Sequence, residues 1–217
     1  MVITRDFIHD PSLVLDLPLY KLDGAEIASQ DAYGHLCTVT GALWTPQGRR
    51  FDGTDDYIDC GASSVFEFTS GDFSFIFWIN TPLTGTMDVL FRQNTDTTVG
   101  YWARVVSDGR IGLRTSQAAA NQNSYSDAGS VVADTWTHIG ITRVGASVKF
   151  YKAGVLLDYQ TEGTHIDPTV SSSNLLVGKG VAALWYKGIT GEVSGYNRAL
   201  SPLELQRDYL ATKWRYQ

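Results

Sequence analysis

The feature that most constrains this chain is a series of short segments in which apolar and polar residues alternate between turn residues. The clearest segment runs from residue 72 to residue 80. Its Phe73, Phe75, Phe77 and Ile79 fall on one face of an extended chain, and the other face also carries apolar residues. This pattern predicts a strand in the middle of a sheet.

About a dozen segments of this kind follow one another with no alternation of strand and helix. A helix signal appears only near the end of the chain, where Ser201, Pro202 and Glu204 form a capping box with proline at the first helical position. Leu205 and Tyr209 should hold this helix on a sheet. We therefore predict an all-β fold: a two-sheet antiparallel jelly-roll β-sandwich with one short C-terminal helix.

The length of 217 residues suits a single β-sandwich, so we predict one domain over residues 1–217, with residues 1–11 as an N-terminal arm. The net charge of -6 argues against nucleic acid or anionic lipid as a general partner. No basic, apolar leader and no apolar run of roughly 20 residues occurs, so we expect no signal peptide and no membrane insertion. The expected location is cytoplasmic or, after assembly, virion-associated or at a cell surface.

The chain contains two cysteines, Cys37 and Cys60, which flank a predicted hairpin near Gly48. Antiparallel pairing about that turn would bring the two thiols close enough to bridge. Two states are consistent with the sequence: a disulfide, or two free buried thiols of the kind common in intracellular proteins.

Four blocks of sequence carry a family resemblance. The strand that ends in Tyr-Asn-Arg-Ala-Leu-Ser at residues 196–201, followed by a helix opening with Glu-Leu, resembles the C-terminal signature of laminin-G-like domains in the concanavalin A-like lectin/glucanase superfamily. Residues 51–58, 73–79 and 136–142 match further blocks in the family's order. Residues 207–216 also resemble the ends of such domains in phage and environmental viral proteins. The resemblance implies the same sandwich fold but not one function.

The enzymes of that superfamily suggest a test for catalysis. Its glucanases use Glu-x-Asp-x-x-Glu on one strand, and this spacing is absent from the sequence. Residues 150–154 resemble a motif of jelly-roll alginate lyases, but the partner elements are missing, and the segment also fits a laminin-G strand and turn. The histidines are scattered, and His138, on the same face of its strand as Trp136, is best interpreted as a hydrogen-bonded, half-buried residue. We predict that the protein is not an enzyme.

The resemblance also implies a calcium site. Relatives hold the ion with an acidic residue in the loop after the first strand and a glutamate on the last strand, positions that Asp31 and Glu192 match. The family usually has Asp-Glu on that strand, whereas Gly191 precedes Glu192 here, which removes one ligand. The alternative is that these carboxylates accept hydrogen bonds from loop amides. A second acidic cluster, which turn chemistry and solvation would explain, comprises Asp52, Asp55 and Asp56.

A sugar-binding face needs exposed rings and side chains that hydrogen-bond to hydroxyl groups. Tyr101 and Trp102 alternate along one predicted strand, so one of the two rings should face outward. The alternative is a core role for the ring and a solvated surface for the arginines. The candidate ligand-binding residues are Arg92, Asn94, Trp102, Arg104, Arg114 and Trp185.

Two roles follow from these observations. The first is a non-catalytic, lectin-like recognition module that binds a glycan or polysaccharide, with a structural calcium ion. The second is a virion structural, decoration or fibre/adhesion protein that contacts mainly other virion or cell-surface proteins, with exposed strand edges available for a homo-oligomer. A polysaccharide hydrolase or lyase is the least favoured role.

Overall fold

The computed structural model describes residues 10–85, 87–93, 99–117, 120–180 and 184–217, with the backbone alone for residues 87, 88 and 91–93. Most of the predicted N-terminal arm, residues 1–9, therefore lies outside the described residues. The chain forms two antiparallel sheets that pack as a sandwich, which confirms the predicted fold class. Strands are numbered in chain order.

The first sheet has eight strands. In spatial order these are β14 (Val155–Leu156), β13 (Ser147–Lys152), β12 (Thr137–Val144), β7 (Phe73–Asn80), β17 (Lys187–Tyr196), β5 (Gly48–Asp52) and β4 (Leu43–Thr45), with β1 (Leu13–Pro18) also paired to β17. The segment at residues 72–80 is thus a central strand, as predicted, since β7 lies between β12 and β17.

The second sheet has nine strands. In spatial order these are β15 (Tyr159–Thr161), β11 (Ala120–Ser126), β10 (Ile111–Gln117), β9 (Gly100–Val105), β8 (Met87–Gln93), β16 (Leu176–Val177), β6 (Tyr57–Asp59), β3 (Leu36–Thr40) and β2 (Glu26–Ala28).

The main core lies between the two sheets. Phe73, Phe75 and Phe77 of β7 are at most 1% exposed and face Tyr101 of β9. The rings of Phe75 and Tyr101 stack with their centroids 5.5 Å apart, and those of Phe73 and Tyr101 lie 6.0 Å apart. Burial of these rings contributes to the apolar area that holds the sheets together.

Two segments whose residue pattern predicts one strand each, residues 50–59 and residues 155–160, are divided between the sheets. Residues 50–59 form β5 in the first sheet and β6 in the second, because the chain crosses between them through Gly53, whose φ is +84°. Residues 155–160 likewise divide into β14 and β15. Alternation of residue types shows which segments are extended, but it does not show where the chain changes sheet.

The helix α1 (Pro202–Thr212) begins at the predicted capping box and packs on the outer face of the eight-stranded sheet. Leu205 of this helix is fully buried against the sheet, whereas Leu210 and Trp214 are 52% and 67% exposed. A short 3-10 turn, Lys213–Arg215, then brings Tyr216 back onto the sheet. Within the described residues, no helix is long and apolar enough to cross a membrane.

The two cysteines lie opposite each other on adjacent strands. Thr38 of β3 pairs with Asp59 of β6, so the antiparallel register places Cys37 across from Cys60. Both thiols are buried and unbridged. The predicted proximity is therefore present, although it arises from β3 and β6 and not from the β4–β5 hairpin at Gly48, which belongs to the other sheet.

Candidate functional site

Trp102 lies on the outer face of the nine-stranded sheet. Its neighbour Tyr101 points into the core, so the alternation along β9 is as predicted. One ring therefore faces outward, as predicted, but it is not accessible, because Trp102 is only 1% exposed. The guanidinium of Arg104 lies 3.5 Å above the centre of the indole ring, and that of Arg114 lies 5.0 Å away. Trp102 therefore supports two arginines and offers no open ring for stacking.

The two arginines are half-buried and held in place. Arg114 Nε donates a hydrogen bond to Asn123 Oδ1 at 2.8 Å. Strand register explains the cluster, because Arg114 pairs with Trp102 across β9 and β10 and with Asn123 across β10 and β11. Arg92 has its backbone on β8, opposite Tyr101, but its side chain lies outside the described residues, as does the whole of Asn94.

Trp185 belongs to a second aromatic group. Its half-buried ring lies 6.3 Å from that of Tyr57, and Lys179 Nζ lies 4.2 Å from the centre of Tyr57 and 5.0 Å from the centre of Trp185. An isolated bridge between Lys179 and Trp185 fixes the two residues beside each other. We call Tyr57, Lys179 and Trp185 the aromatic platform.

Sequence reasoning missed two residues of the aromatic platform. Tyr57 precedes Ile58, which is buried in the core, so alternation alone could have assigned the tyrosine to the outer face of the sheet. Lys179 gave no such signal, because its place depends on the bridge to Trp185.

The aromatic platform and the arginines lie on the same face of the nine-stranded sheet. Tyr57 is on β6, two strands away from β8, and the arginines follow on β9 and β10. Three strand spacings of about 4.8 Å place the platform about 14 Å from Arg104. The structure thus brings Trp185, Arg104 and Arg114, all predicted site residues, onto one extended surface.

Between the aromatic platform and the two arginines, the side chains that the structure describes carry more positive than negative charge, although the chain has a net charge of -6. Lys179, Arg104 and Arg114 contribute three positive charges. Asp59 lies on the same face and accepts a hydrogen bond from Asn174 Nδ2 at 2.9 Å. The local field therefore favours an anionic partner.

Asp31 lies in the loop between β2 and β3, where protein groups surround its carboxylate. Oδ1 accepts the backbone N–H groups of Tyr33 at 2.6 Å and Gly34 at 2.9 Å. Oδ2 accepts the hydroxyl of Ser29 and lies 3.1 Å from His35 Nδ1. This arrangement matches the alternative in which the acid accepts hydrogen bonds from its loop.

Glu192 lies on β17 in the other sheet and is 2% exposed. Its Oε1 accepts a hydrogen bond from Arg215 Nη1 at 2.7 Å. A guanidinium at this distance supplies the positive charge that a cation would otherwise bring. The residues present at Asp31 and Glu192 therefore do not fit a calcium ion, so the calcium site rests on the family resemblance alone.

The acidic cluster at the β5–β6 crossing has potential ligand atoms within 4.8 Å of one another. Its carboxylates also cap the turn: Asp56 Oδ2 accepts the N–H of Asp52 at 2.8 Å, and Asp52 Oδ1 accepts that of Asp55 at 3.4 Å. Burial raises the pKa of Asp56. A cavity of about 410 Å³ adjoins the cluster, and its lining includes Arg50 and Lys187. Mixed charges and turn hydrogen bonds are consistent with the predicted structural role.

His138 is hydrogen-bonded, as expected, but fully buried and not half-buried. Its Nε2 lies 3.0 Å from Asp208 Oδ2 on α1, and the residue is 2% exposed. The helix therefore covers the histidine, which the sequence pattern could not show.

The comparison with protein families gives one match. Residues 52–206 match a laminin G model described as the concanavalin A-like lectin/glucanases superfamily. No curated protein sequence matches this chain.

Solved structures with the same fold include two binding domains and one further neurotoxin structure. The binding domain of botulinum neurotoxin serotype G shares 16% identity at a TM-score of 0.74, covering 91% of this chain and 50% of that one. The binding domain of botulinum neurotoxin DC, in complex with rat synaptotagmin II, shares 12% at 0.68, covering 92% and 51%. A botulinum neurotoxin type C structure, described by the dependence of cell entry on two ganglioside molecules, shares 11% at 0.68, covering 92% and 51%.

These likenesses establish the fold. The chain spans about half the length of each of these neighbours. The synaptotagmin and ganglioside partners named in their descriptions are therefore partners of those longer proteins.

Proposed function

Because this chain belongs to the laminin-G-like part of the concanavalin A-like lectin/glucanase superfamily, we propose that it is a non-catalytic recognition module that binds acidic glycans. The binding surface is the outer face of the nine-stranded sheet between the aromatic platform and the Arg104–Arg114 pair. Neighbours of the same fold are described with ganglioside and protein partners, which supports a binding role of this general kind.

The observation that carries the proposal is the aromatic platform itself. Tyr57 and Trp185 are both half-buried, so each ring keeps part of its surface accessible beside the Lys179 ammonium. Sugar rings stack on such surfaces through their apolar faces. The ammonium group can donate hydrogen bonds to a carboxylate or sulfate on the same sugar.

The arginines would bind the next part of the chain of sugars. Arg104 lies about 14 Å from the platform, a separation of three strand spacings, and Arg114 lies one strand farther away. Planar guanidinium groups bind carboxylates through two parallel hydrogen bonds. An acidic oligosaccharide, and not a single neutral sugar, matches a surface with stacking at one end and guanidinium groups at the other.

The test is a glycan array that carries neutral and uronate-containing oligosaccharides. We expect the wild-type protein to bind acidic members saturably, and Trp185→Ala to weaken that binding about tenfold through loss of stacking. Trp214→Ala is the matched control, because this exposed tryptophan lies near the other sheet. Equal binding by the wild type and Trp185→Ala, or no binding to any acidic member, would contradict the proposal.

A second candidate function rests on a different surface. Leu203, Leu210 and Trp214 are 54%, 52% and 67% exposed, and their spacing of seven and four residues places them on one side of the C-terminal segment. Such a stripe is typical of a protein contact, which a virion or adhesion role would use. Light scattering after size exclusion tests it: an oligomer that Trp214→Ala dissociates and Trp185→Ala leaves intact would favour this role.

The non-enzymatic part of the proposal rests on the sequence, where the paired carboxylates of the glucanases are missing. Release of reducing sugar or of unsaturated uronate from a polysaccharide panel would overturn it. No step of the proposed binding uses a calcium ion.

A further inference from the structure

A separate cavity of about 200 Å³ lies on the opposite side of the molecule, between α1 and the outer face of the eight-stranded sheet. Four aromatic rings line it: Trp78, Trp136, Tyr209 and Tyr216. Trp78 stacks on Tyr216 at 4.4 Å and on Tyr209 at 5.8 Å, and Trp136 lies 4.6 Å from Tyr216. The volume equals that of about six or seven water molecules, which is room for one substituted six-membered ring.

His138 lines the same cavity and has an unsatisfied nitrogen. The residue is 2% exposed, and its Nδ1 has no hydrogen-bond partner among the described residues. Its Nε2 lies beside the Asp208 carboxylate, which fixes the proton on Nε2 in the neutral imidazole. The side chain is 0% exposed and lies against the rings of Trp78 and Tyr209, so the imidazole is behind the aromatic wall and Nδ1 does not contact a ligand in the cavity.

Two ammonium groups belong to the same lining. Lys152 and Lys213 are both half-buried, and neither forms an ion pair in the described part of the chain. Lys213 Nζ lies 5.5 Å from the ring centre of Tyr209. Two cations beside aromatic walls favour a ligand with a carboxylate on an otherwise apolar ring face.

From the aromatic walls and the two ammonium groups we infer that the cavity under α1 binds one acidic monosaccharide unit, such as a uronic acid. The ring lies against Trp136 and Tyr209, and the carboxylate accepts hydrogen bonds from Lys152 and Lys213. This site uses none of the residues of the aromatic platform. A negative result at the cavity therefore leaves the proposed function untouched, and the reverse is also true.

The experiment is an NMR titration of the full chain with glucuronate, and with glucose as the neutral match. We expect glucuronate to shift the Trp136 indole and His138 ring signals saturably, and glucose to do so much more weakly. Replacing both lysines, Lys152→Met with Lys213→Met, should weaken glucuronate binding about tenfold or more while the spectrum stays folded.

Two control variants distinguish a failure of the cavity proposal from a failure of the proposed function. Lys149→Met removes an exposed ammonium from the neighbouring part of β13 and should change nothing. Lys179→Met removes the ammonium of the aromatic platform. It should therefore weaken binding on the glycan array and leave the glucuronate-induced shifts of Trp136 and His138 unaltered. Absence of glucuronate shifts in the wild type, or equal affinity in the Lys152→Met, Lys213→Met variant, would overturn the inference.

A third titration identifies the source of the sugar. A glucuronate-terminated oligosaccharide that binds more tightly than the free acid assigns the cavity to the end of a glycan. Equal or weaker binding assigns it to the free monosaccharide.

Discussion

Three glycines allow the C-terminal segment to approach the sheet closely. A Cβ at Gly140 would lie 2.9 Å from Leu205, one at Gly154 would lie 2.5 Å from the backbone of Gln206, and one at Gly191 would lie 2.4 Å from the ring of Tyr216. Gly191 also explains the departure from the family's Asp-Glu pattern, because the tyrosine ring occupies the space of the missing side chain.

Gly191→Ala should therefore displace Tyr216. The ring is rigid and stacked on Trp78, so relief of the clash must move the chain end or the strand. We expect the free energy of unfolding in urea to fall by about 1–3 kcal/mol. Gly71→Ala, where an added Cβ meets nothing within 4 Å, is the control. Equal stability of the two variants would show that the tail adapts without cost.

His165 should make the protein less stable in mild acid. The ring is 1% exposed, with Nδ1 and Nε2 each 2.9 Å from the hydroxyls of Thr115 and Ser124. Burial, and then the charge of Arg143, lower the pKa of His165 from 6.5 to about 4. Between these values the unfolded chain binds a proton that the folded chain does not, so stability falls as the pH drops from 6.5 to about 4.

The size of this effect can be measured by urea unfolding across that pH range. The shift corresponds to at most about 3 kcal/mol. His165→Gln can keep the hydrogen bonds but cannot titrate, so its stability should depend less steeply on pH. Parallel curves for the wild type and the variant would assign the acid sensitivity to other groups.

Among the elements, α1 shows how a local signal and a tertiary contact combine. Ser201 Oγ accepts the N–H of Glu204 at 3.3 Å, and Glu204 Oε2 accepts the N–H of Ser201 at 2.8 Å. Glu204 also pairs with Arg198 at 2.8 Å, and the pKa of Glu204 is lowered to about 2, chiefly by the hydrogen bond from Arg198. The capping box thus also joins the helix to the end of β17.

Ser201→Ala should destabilise the protein by about 1 kcal/mol through loss of the N-cap. Thermal unfolding and urea titration would measure the change. Ser70→Ala, at an exposed serine outside any helix or strand, should change stability by less than about 0.5 kcal/mol. A loss at Ser201 no larger than at Ser70 would mean that packing alone defines the helix start.

At the scale of the whole molecule, the two sheets differ in how their charged residues are arranged. The outer face of the nine-stranded sheet carries Arg104, Arg114 and Lys179 in a chain of net charge -6. On the other sheet, Arg215 compensates the buried Glu192 and also lies 3.5 Å above the ring of Tyr20. The position at Glu192, where the family resemblance predicts a cation, thus holds the guanidinium of Arg215.

We therefore expect calcium to leave the melting temperature unchanged. The reason is that binding at Glu192 would require displacement of Arg215 from a 2.7 Å ion pair. The measurement is thermal unfolding in calcium, in magnesium and in chelator. A saturable rise specific to calcium that Asp31→Asn abolishes would restore the metal hypothesis.

The sequence determined the features that depend on neighbours along the chain. Alternation at residues 72–80 specified a central strand, and the capping box at Ser201 specified the helix start. It also placed Tyr101 and Trp102 on opposite faces, because side-chain direction in a strand depends only on position.

Only the tertiary structure decided which surfaces stay open. Trp102 is covered by Arg104 of its own strand and by Arg114 of β10, and the aromatic platform depends on the isolated bridge between Lys179 and Trp185. The chain also changes sheet at Gly53 within what resembles one strand. Exposure is a property of what packs against a residue from elsewhere in the chain, so local pattern could name the candidate residues but could not show which of them remain accessible to a ligand.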